Sequence, residues 1–217
     1  PLAWEQEFMV EFLDNALTVF PGFSECFNET FEGGKCWIGI DPSSVGDDNT
    51  IVSIISQDSQ VRQYKIDGTL DQKYDRIAKI INDYHPQATY IENNSIGEVM
   101  ANEIKKKLIR KSNFYAFTTT NETKKQYISL IAVDIANNAI HFEEDNKLLY
   151  SELSTFTFKL TKGGNITYAA RDGFHDDTVT SLGVCLQCRA DFKYSGLNNM
   201  NFVKTNTKLF YLGGLYK

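Results

Sequence analysis

Residues 35–56, KCWIGIDPSSVGDDNTIVSIIS, restrict what this chain can fold into more than any other stretch. An apolar run from Cys36 to Ile40 ends in Asp41. Pro42, Ser43, Ser44 and Gly46 make the next segment turn-rich, Asp47 and Asp48 follow, and the chain is apolar again at Ile51, Val52, Ile54 and Ile55. Two apolar runs around turn residues predict a β-hairpin whose first strand is buried and carries an aspartate on its interior face. A buried carboxylate without compensation is costly. Asp41 therefore requires a partner: a basic side chain, a nest of backbone amides or a metal ion.

The hairpin sets the frame for the rest. Strands are expected at about 36–41, 50–56 and 61–66, with Asp58-Ser59 as a turn and Tyr64 and Ile66 on one face. Their short connections imply antiparallel pairing. Thr69 and Gln72 form a capping box, and Tyr74, Ile77, Ile81 and Tyr84 follow at helical spacing, predicting a helix over 70–84 that His85-Pro86 stops. Ala88 to Ile91 is a short strand with Glu92 at its C-terminal end. Ser95 and Glu98 make a second capping box before the stripe Ile96, Met100, Ile104 and Leu108.

Phe114 to Phe117 is a further strand. Asn121 or Thr123 caps a helix that turns Ile128, Ile131 and Ile135 inward. Residues 140–145 are short and acidic, and 147–154 supply one or two helical turns. Residues 155–162 and 165–170 flank Gly163-Gly164 as a hairpin. Phe174-His175-Asp176-Asp177 then opens a last helix with Val179, Leu182 and Leu186 on one face. Antiparallel strands followed by strand–helix alternation predict an α/β fold, a mixed sheet with helices on its faces.

Three regions are expected. Residues 1–34 read as an N-terminal extension, with Trp4, Phe8, Phe12 and Leu13 at helical spacing, Pro21-Gly22 as a turn, and Gly33-Gly34 as its boundary. Residues 35–192 form the core domain. Residues 193–217, polar and rich in Asn, Gly and Lys, form a loosely packed tail.

A chain of 217 residues that is 42% hydrophobic can bury one sizeable core. No apolar run approaches the roughly 18 residues a membrane span needs, so no membrane partner is expected. The start has no basic segment of a signal peptide, and it lacks an initiating Met, as a fragment of a longer protein would. Cys26, Cys36, Cys185 and Cys188 are scattered, which suggests no disulfide framework and a reducing compartment. The Cys185-x-x-Cys188 pair lacks a second ligand pair and reads as helix packing.

The net charge of −6 argues against a broad nucleic-acid coat. It leaves room for a local patch. Lys105, Lys106, Lys107, Arg110, Lys111, Lys124 and Lys125 make the densest basic region, read equally as a solvated helix face or as DNA contact.

Asp41, Glu92 and Asp177 hold comparable places: two at strand ends and one in the first turn of a helix. Alone, each has a plain explanation, as a strand terminus, a loop acid and a dipole-favoured helix acid. In an α/β sheet, however, the carboxyl ends of neighbouring strands line a ligand crevice. Carboxylates converging there repel one another unless a cation is present. Hard oxygen ligands with little His or Cys favour Mg²⁺ or Mn²⁺. Two such ions about 4 Å apart can clamp an in-line displacement at phosphorus.

The patterns G-I-D-P-S-x-x-G-D-D-x-T, Y-I-E-N-N and H-D-D-T-V-T-S-L, in this order, resemble the nuclease domain of tailed-phage large terminase subunits. QEFMVEFLDNALTVFPGF resembles the stretch that links the terminase ATPase domain to its nuclease. The resemblance covers roughly residues 4 to 190 and implies an RNase H-like mixed sheet, three antiparallel strands followed by parallel ones, flanked by helices, with an accessory β-hairpin.

It implies Asp41, Glu92 and Asp177 as the metal-binding triad for two Mg²⁺ or Mn²⁺ ions, with Asp48 and Asp176 as further acids and His175 close by. Lys159, Lys162 and Arg171 of the hairpin region, with Lys124 and Lys125, would meet DNA phosphates. No Walker A motif occurs in the chain, so the packaging ATPase is expected upstream in the same polypeptide. Double-stranded DNA, a portal protein and a small terminase subunit are the implied partners, in a host-cell cytoplasm with transient docking at the procapsid portal. Two other readings fit the same residues: another RNase H-like nuclease such as a Holliday-junction resolvase, and a non-catalytic module binding portal or capsid protein.

Overall fold

The computed structural model describes residues 19–43, 49–93, 96–111, 113–160, 166–171 and 173–193. The predicted hairpin is present: β2 (Cys36–Asp41) pairs antiparallel with β3 (Thr50–Ser56), which pairs antiparallel with β4 (Gln60–Ile66). Helix α1 (Leu70–Tyr84) returns the chain to β5 (Thr89–Glu92), parallel to β2. Helix α2 (Gly97–Lys107) returns it to β6 (Phe114–Phe117), parallel to β5. Then come α3 (Asn121–Ala136), the short strand β7 (His141–Glu143), α4 (Lys147–Thr155), the separate hairpin β8 (Phe156–Leu160) and β9 (Ile166–Ala170), and α5 (Asp177–Phe192). With β1 (Phe27–Glu29) on the far edge, the sheet order is β1-β7-β4-β3-β2-β5-β6.

Alternation along β2 separates two cores. Ile38 and Ile40 face Tyr74, Ile77 and Ile81 of α1 and Met100 and Ile104 of α2. Trp37 faces the other way, among Ile128 and Ile131 of α3, Leu149 and Leu153 of α4, and Val179 and Leu182 of α5. The result is a three-layer arrangement with the sheet in the middle. Among the described residues, no helix is long and apolar enough to cross a membrane.

Local details differ from expectation at four places. The segment 19–34 carries Phe20, Cys26 and Phe31, all buried, and contributes β1, which pairs parallel with β7. The acidic stretch 140–145 holds β7, which bridges β1 and β4. Both strands are too short for a period-2 pattern to show. Helix α2 begins after Ile96, with no side-chain cap; Ser95 of the expected box lies outside the described residues. The cap of α3 is Thr120, one residue before the expected range, with Thr123 as its reciprocal partner. The Thr69/Gln72 box of α1 is present with both bonds, 2.9 and 3.4 Å.

Cys185 and Cys188 are buried in the core. Burial pushes the Cys185 thiol up to about 12 and the Cys188 thiol well above its ordinary value. Both are therefore protonated packing residues rather than thiolates.

Candidate metal centre

Gly39 explains why the acids meet. It lies on the same face of β2 as Trp37 and Asp41, and a Cβ there would run into the backbone of Ser181 and Cys185. Only a glycine lets α5 approach this closely. From that contact, four residues back along α5 is Asp177, about 6 Å away at 1.5 Å per residue. Two residues onward along β2 is Asp41, about 6.6 Å away. The two steps match, so Asp41 and Asp177 arrive at the same level.

The parallel neighbour adds the next acid. Ile40 stands opposite Ile91 in the β2–β5 register, so Asp41 and Glu92 end adjacent strands side by side. Their carboxyl groups are hydrogen-bonded to each other. The backbone of Glu92 is packed against Gly97 at the start of α2, where a Cβ would meet its carbonyl. Burial, then that hydrogen bond, then the negative charges of Glu92, Asp177 and Asp176 hold the Asp41 carboxyl well above the usual carboxylate range. Like charges gathered out of water have this effect, and a cation would reverse it.

Asp177 is 8% exposed and firmly held. The Asn49 backbone N–H and its Nδ2 both donate to Asp177 Oδ2, at 2.8 and 2.9 Å. His175 Nδ1 is 3.9 Å from the same oxygen. Asp176 stands at the N-cap of α5 but makes no capping bond. Its Oδ2 is instead paired with Lys124 Nζ of α3 at 3.0 Å. Glu152 of α4, 3% exposed, accepts from the Thr178 N–H at 2.7 Å and the Thr178 hydroxyl at 2.6 Å.

Lys73 of α1 closes the mouth of the β2–β3 connection. Its Nζ donates to Ser43 O, Ser43 Oγ and Thr50 Oγ1 at 3.1, 3.3 and 3.0 Å. Burial lowers its pKa.

Asp41, Glu92, Asp177 and Asp176 are thus brought together, and Asp48 lies outside the described residues. Of the residues expected on DNA, Lys124 is engaged with Asp176 and Lys125 is exposed beside it. Lys159 pairs with Thr167 in the backbone register of the hairpin, and Lys162 lies outside the described residues. Arg171 donates its backbone N–H to Thr155 O. In the basic stretch on α2, Lys106 and Lys107 are paired with Glu103 and Asp75, the pattern of a solvated helix face. Asn49, Lys73 and Glu152 were not anticipated. Asn49 had a weak signal in its place directly after Asp47-Asp48, and Glu152 had none.

Among the described residues, no group of three or more His, Cys, Asp or Glu side chains stands in an arrangement that would hold a metal ion as it is. The donor chemistry nevertheless fits a hard divalent cation. The converging groups are all carboxylates, and their mutual repulsion is what a cation would relieve.

A mixed sheet of this order, with acids at the ends of its first antiparallel strand and that strand's parallel neighbour, and a third on the helix packed across them, is an RNase H-like α/β fold. More narrowly, it is the fold of phage large-terminase nuclease domains. The chain matches the large terminase nuclease of thermophilic phage G20c with a TM-score of 0.68 and 21% identity, over 79% of this chain and 98% of that one. The same nuclease with bound magnesium matches with a TM-score of 0.65 and 19% identity, over 79% and 97%. The nuclease domain of the large terminase subunit gp2 of bacterial virus Sf6 matches with 0.60 and 10% identity, over 79% and 98%. No protein-family model matches the sequence, and no curated protein does.

Proposed function

We propose that this chain is the nuclease domain of a viral DNA-packaging terminase, a metal-dependent endonuclease that cuts concatemeric double-stranded DNA during genome packaging. The observation that carries the reading is the meeting of Asp41, Glu92 and Asp177 at the ends of two adjacent strands and the start of the helix packed over them. The shared fold and the magnesium bound in the G20c nuclease support it. So does the manganese present in a mutant of the Sf6 nuclease domain.

Asp41, Glu92 and Asp177 are the ligands for two Mg²⁺ or Mn²⁺ ions in this reading, with Asp176 and Asp48 as accessory acids. When bound, such a pair of ions activates a water for in-line attack and neutralises charge on the leaving 3′-oxygen. The protein contributes no nucleophile of its own. Buried Asp177 and half-buried Asp41 and Glu92 fix where the cations sit in this reading, and Lys124, Lys125, Lys159, Lys162 and Arg171 orient the duplex through its phosphates. Lys124 must exchange Asp176 for a phosphate to do so. An acidic domain binds DNA weakly and with strong salt dependence. Affinity and control therefore fall to an upstream ATPase domain, a portal protein and a small terminase subunit, during docking at a procapsid in the host cytoplasm.

The test is plasmid cleavage by the purified chain with Mg²⁺, Mn²⁺ or EDTA, beside Asp41→Asn and Asp177→Asn. Nicking and linearisation that require metal and vanish in both variants are expected. Cleavage that persists in EDTA, or in either variant, overturns the reading. A preference for four-way junctions over linear duplex would point to a resolvase instead.

A further inference from the structure

Helix α5 carries Asp177 in its first turn, yet the side chain at its N-cap does not hold that turn. Asp176, at the N-cap, makes no capping bond because its carboxylate is turned to Lys124. A helix start leaves its first N–H groups without intrahelical partners, and the residue at the N-cap ordinarily supplies one. Here the acceptor comes from another helix. Glu152 Oε2 takes both the Thr178 N–H, at 2.7 Å, and the Thr178 hydroxyl, at 2.6 Å. The Val179 N–H also bears on the same carboxyl. Glu152 is almost wholly buried, and its second oxygen, Oε1, has no hydrogen-bond partner among the described residues.

A carboxylate in this position is expensive. It sits out of water, next to another acid, with one oxygen unsatisfied. The positive end of the α5 dipole and the two bonds to Thr178 offset part of that cost. On the opposite side, Asn49 grips the carboxylate of Asp177 with two donors at 2.8 and 2.9 Å. One residue fixes the turn that carries Asp177, and the other fixes the rotation of its side chain. They come from α4 and from the β2–β3 connection, and neither is among the acids assigned to the cation.

We infer that Asn49 and Glu152 are positioning residues for the metal centre, a two-point clamp that presents Asp177 to the cation. The inference rests on the reading of Asp177 as a ligand. Residues that orient a ligand without touching the metal set its affinity, and their loss typically weakens binding by roughly 10- to 100-fold.

Isothermal titration of Mn²⁺ into the purified chain tests it, with circular dichroism and melting curves for each variant. Asn49→Ala and Glu152→Ala are expected to weaken Mn²⁺ binding by at least about tenfold while the spectrum stays that of the wild type. Glu152→Gln, whose amide oxygen can still accept from Thr178, is expected to restore most of the affinity lost in Glu152→Ala. A merely structural role predicts lower melting temperatures with unchanged Mn²⁺ affinity, and that result in both alanine variants overturns the clamp. Should Glu152→Ala fail to fold, Thr178→Ala removes only the hydroxyl donor, and unchanged affinity there overturns the Glu152 half. If the wild-type chain itself binds no Mn²⁺, the reading beneath the clamp fails, and the clamp goes with it.

Discussion

The α1–α2 layer and the α5 layer cover opposite faces of one sheet by different means. Helix α1 buries Tyr74, Ile77, Ala78 and Ile81, a stripe at helical spacing, against Ile38, Ile40 and Ile54. Its one buried charge, Lys73, sits at the edge, beside Ser43 and Thr50. Helix α5 is buried without a break from Asp177 to Leu186, so it has no apolar stripe to choose its rotation. Polar bonds choose it instead. Ser181 Oγ donates toward Gly39 O and Ile51 O, each at 3.1 Å, and accepts from Ser53 Oγ at 2.8 Å. Gln63 Nε2 donates to Ser53 Oγ and to Thr178 O, and Asn146 at the N-cap of α4 donates to Gln63 Oε1. Hydrophobic contact is non-directional, whereas a hydrogen bond fixes distance and angle. The helical layer that bears Asp176 and Asp177 is the one held directionally.

The largest effect on stability therefore belongs to the layer with the smaller effect on the site. Ile77→Ala is expected to cost about 2–5 kcal/mol in urea denaturation, from lost burial and the cavity left behind. The variant that remains folded should bind Mn²⁺ like the wild type in titration. Ser181→Ala is expected to cost less, about 1–3 kcal/mol, because it removes bonds rather than volume. It should nonetheless weaken Mn²⁺ binding several-fold, since Asp177 lies one turn away on the same helix. If Ile77→Ala weakened Mn²⁺ binding as much as Ser181→Ala, the division of labour between the layers would not stand.

The same division decides what the sequence revealed. Strands β2 to β6 and helices α1 to α3 came from apolar runs and spacings that each segment carries within itself, as in Cys36–Ile40 or Ile128, Ile131 and Ile135. Asp41, Glu92 and Asp177 stood out because each ended or opened such a segment; the matched steps from Gly39 bring Asp41 to Asp177, and the β2–β5 register brings Glu92 beside Asp41. What stayed hidden depends on partners far along the chain. Strands β1 and β7 are three residues each; β1 exists by pairing with β7, and β7 by bridging β1 and β4. Glu152 caps a helix that starts after an intervening hairpin, and Lys124 spends its charge on Asp176 of α5 rather than standing open. No local pattern encodes a contact of that range. Glycine offered one unused clue: Gly39, in the middle of an apolar strand, marks a close backbone approach.

The smallest effect tests locality itself. Thr69 caps α1 with its own side chain, and Gln72 returns the bond, so this helix start is self-contained. Thr69→Ala is expected to cost about 1 kcal/mol, the usual worth of an N-cap hydroxyl. The cap is exposed, so water replaces the lost acceptor and nothing buried is left unpaired. The first turn of α5 has no such recourse, since its acceptor is Glu152 in the interior and water does not reach it. The two caps perform the same chemistry on helices of similar length, 15 and 16 residues. Melting curves and Mn²⁺ titrations on Thr69→Ala and Glu152→Ala therefore separate a cap that holds a helix from one that holds a site. Equal losses in both measurements would mean that α5 is capped for stability alone.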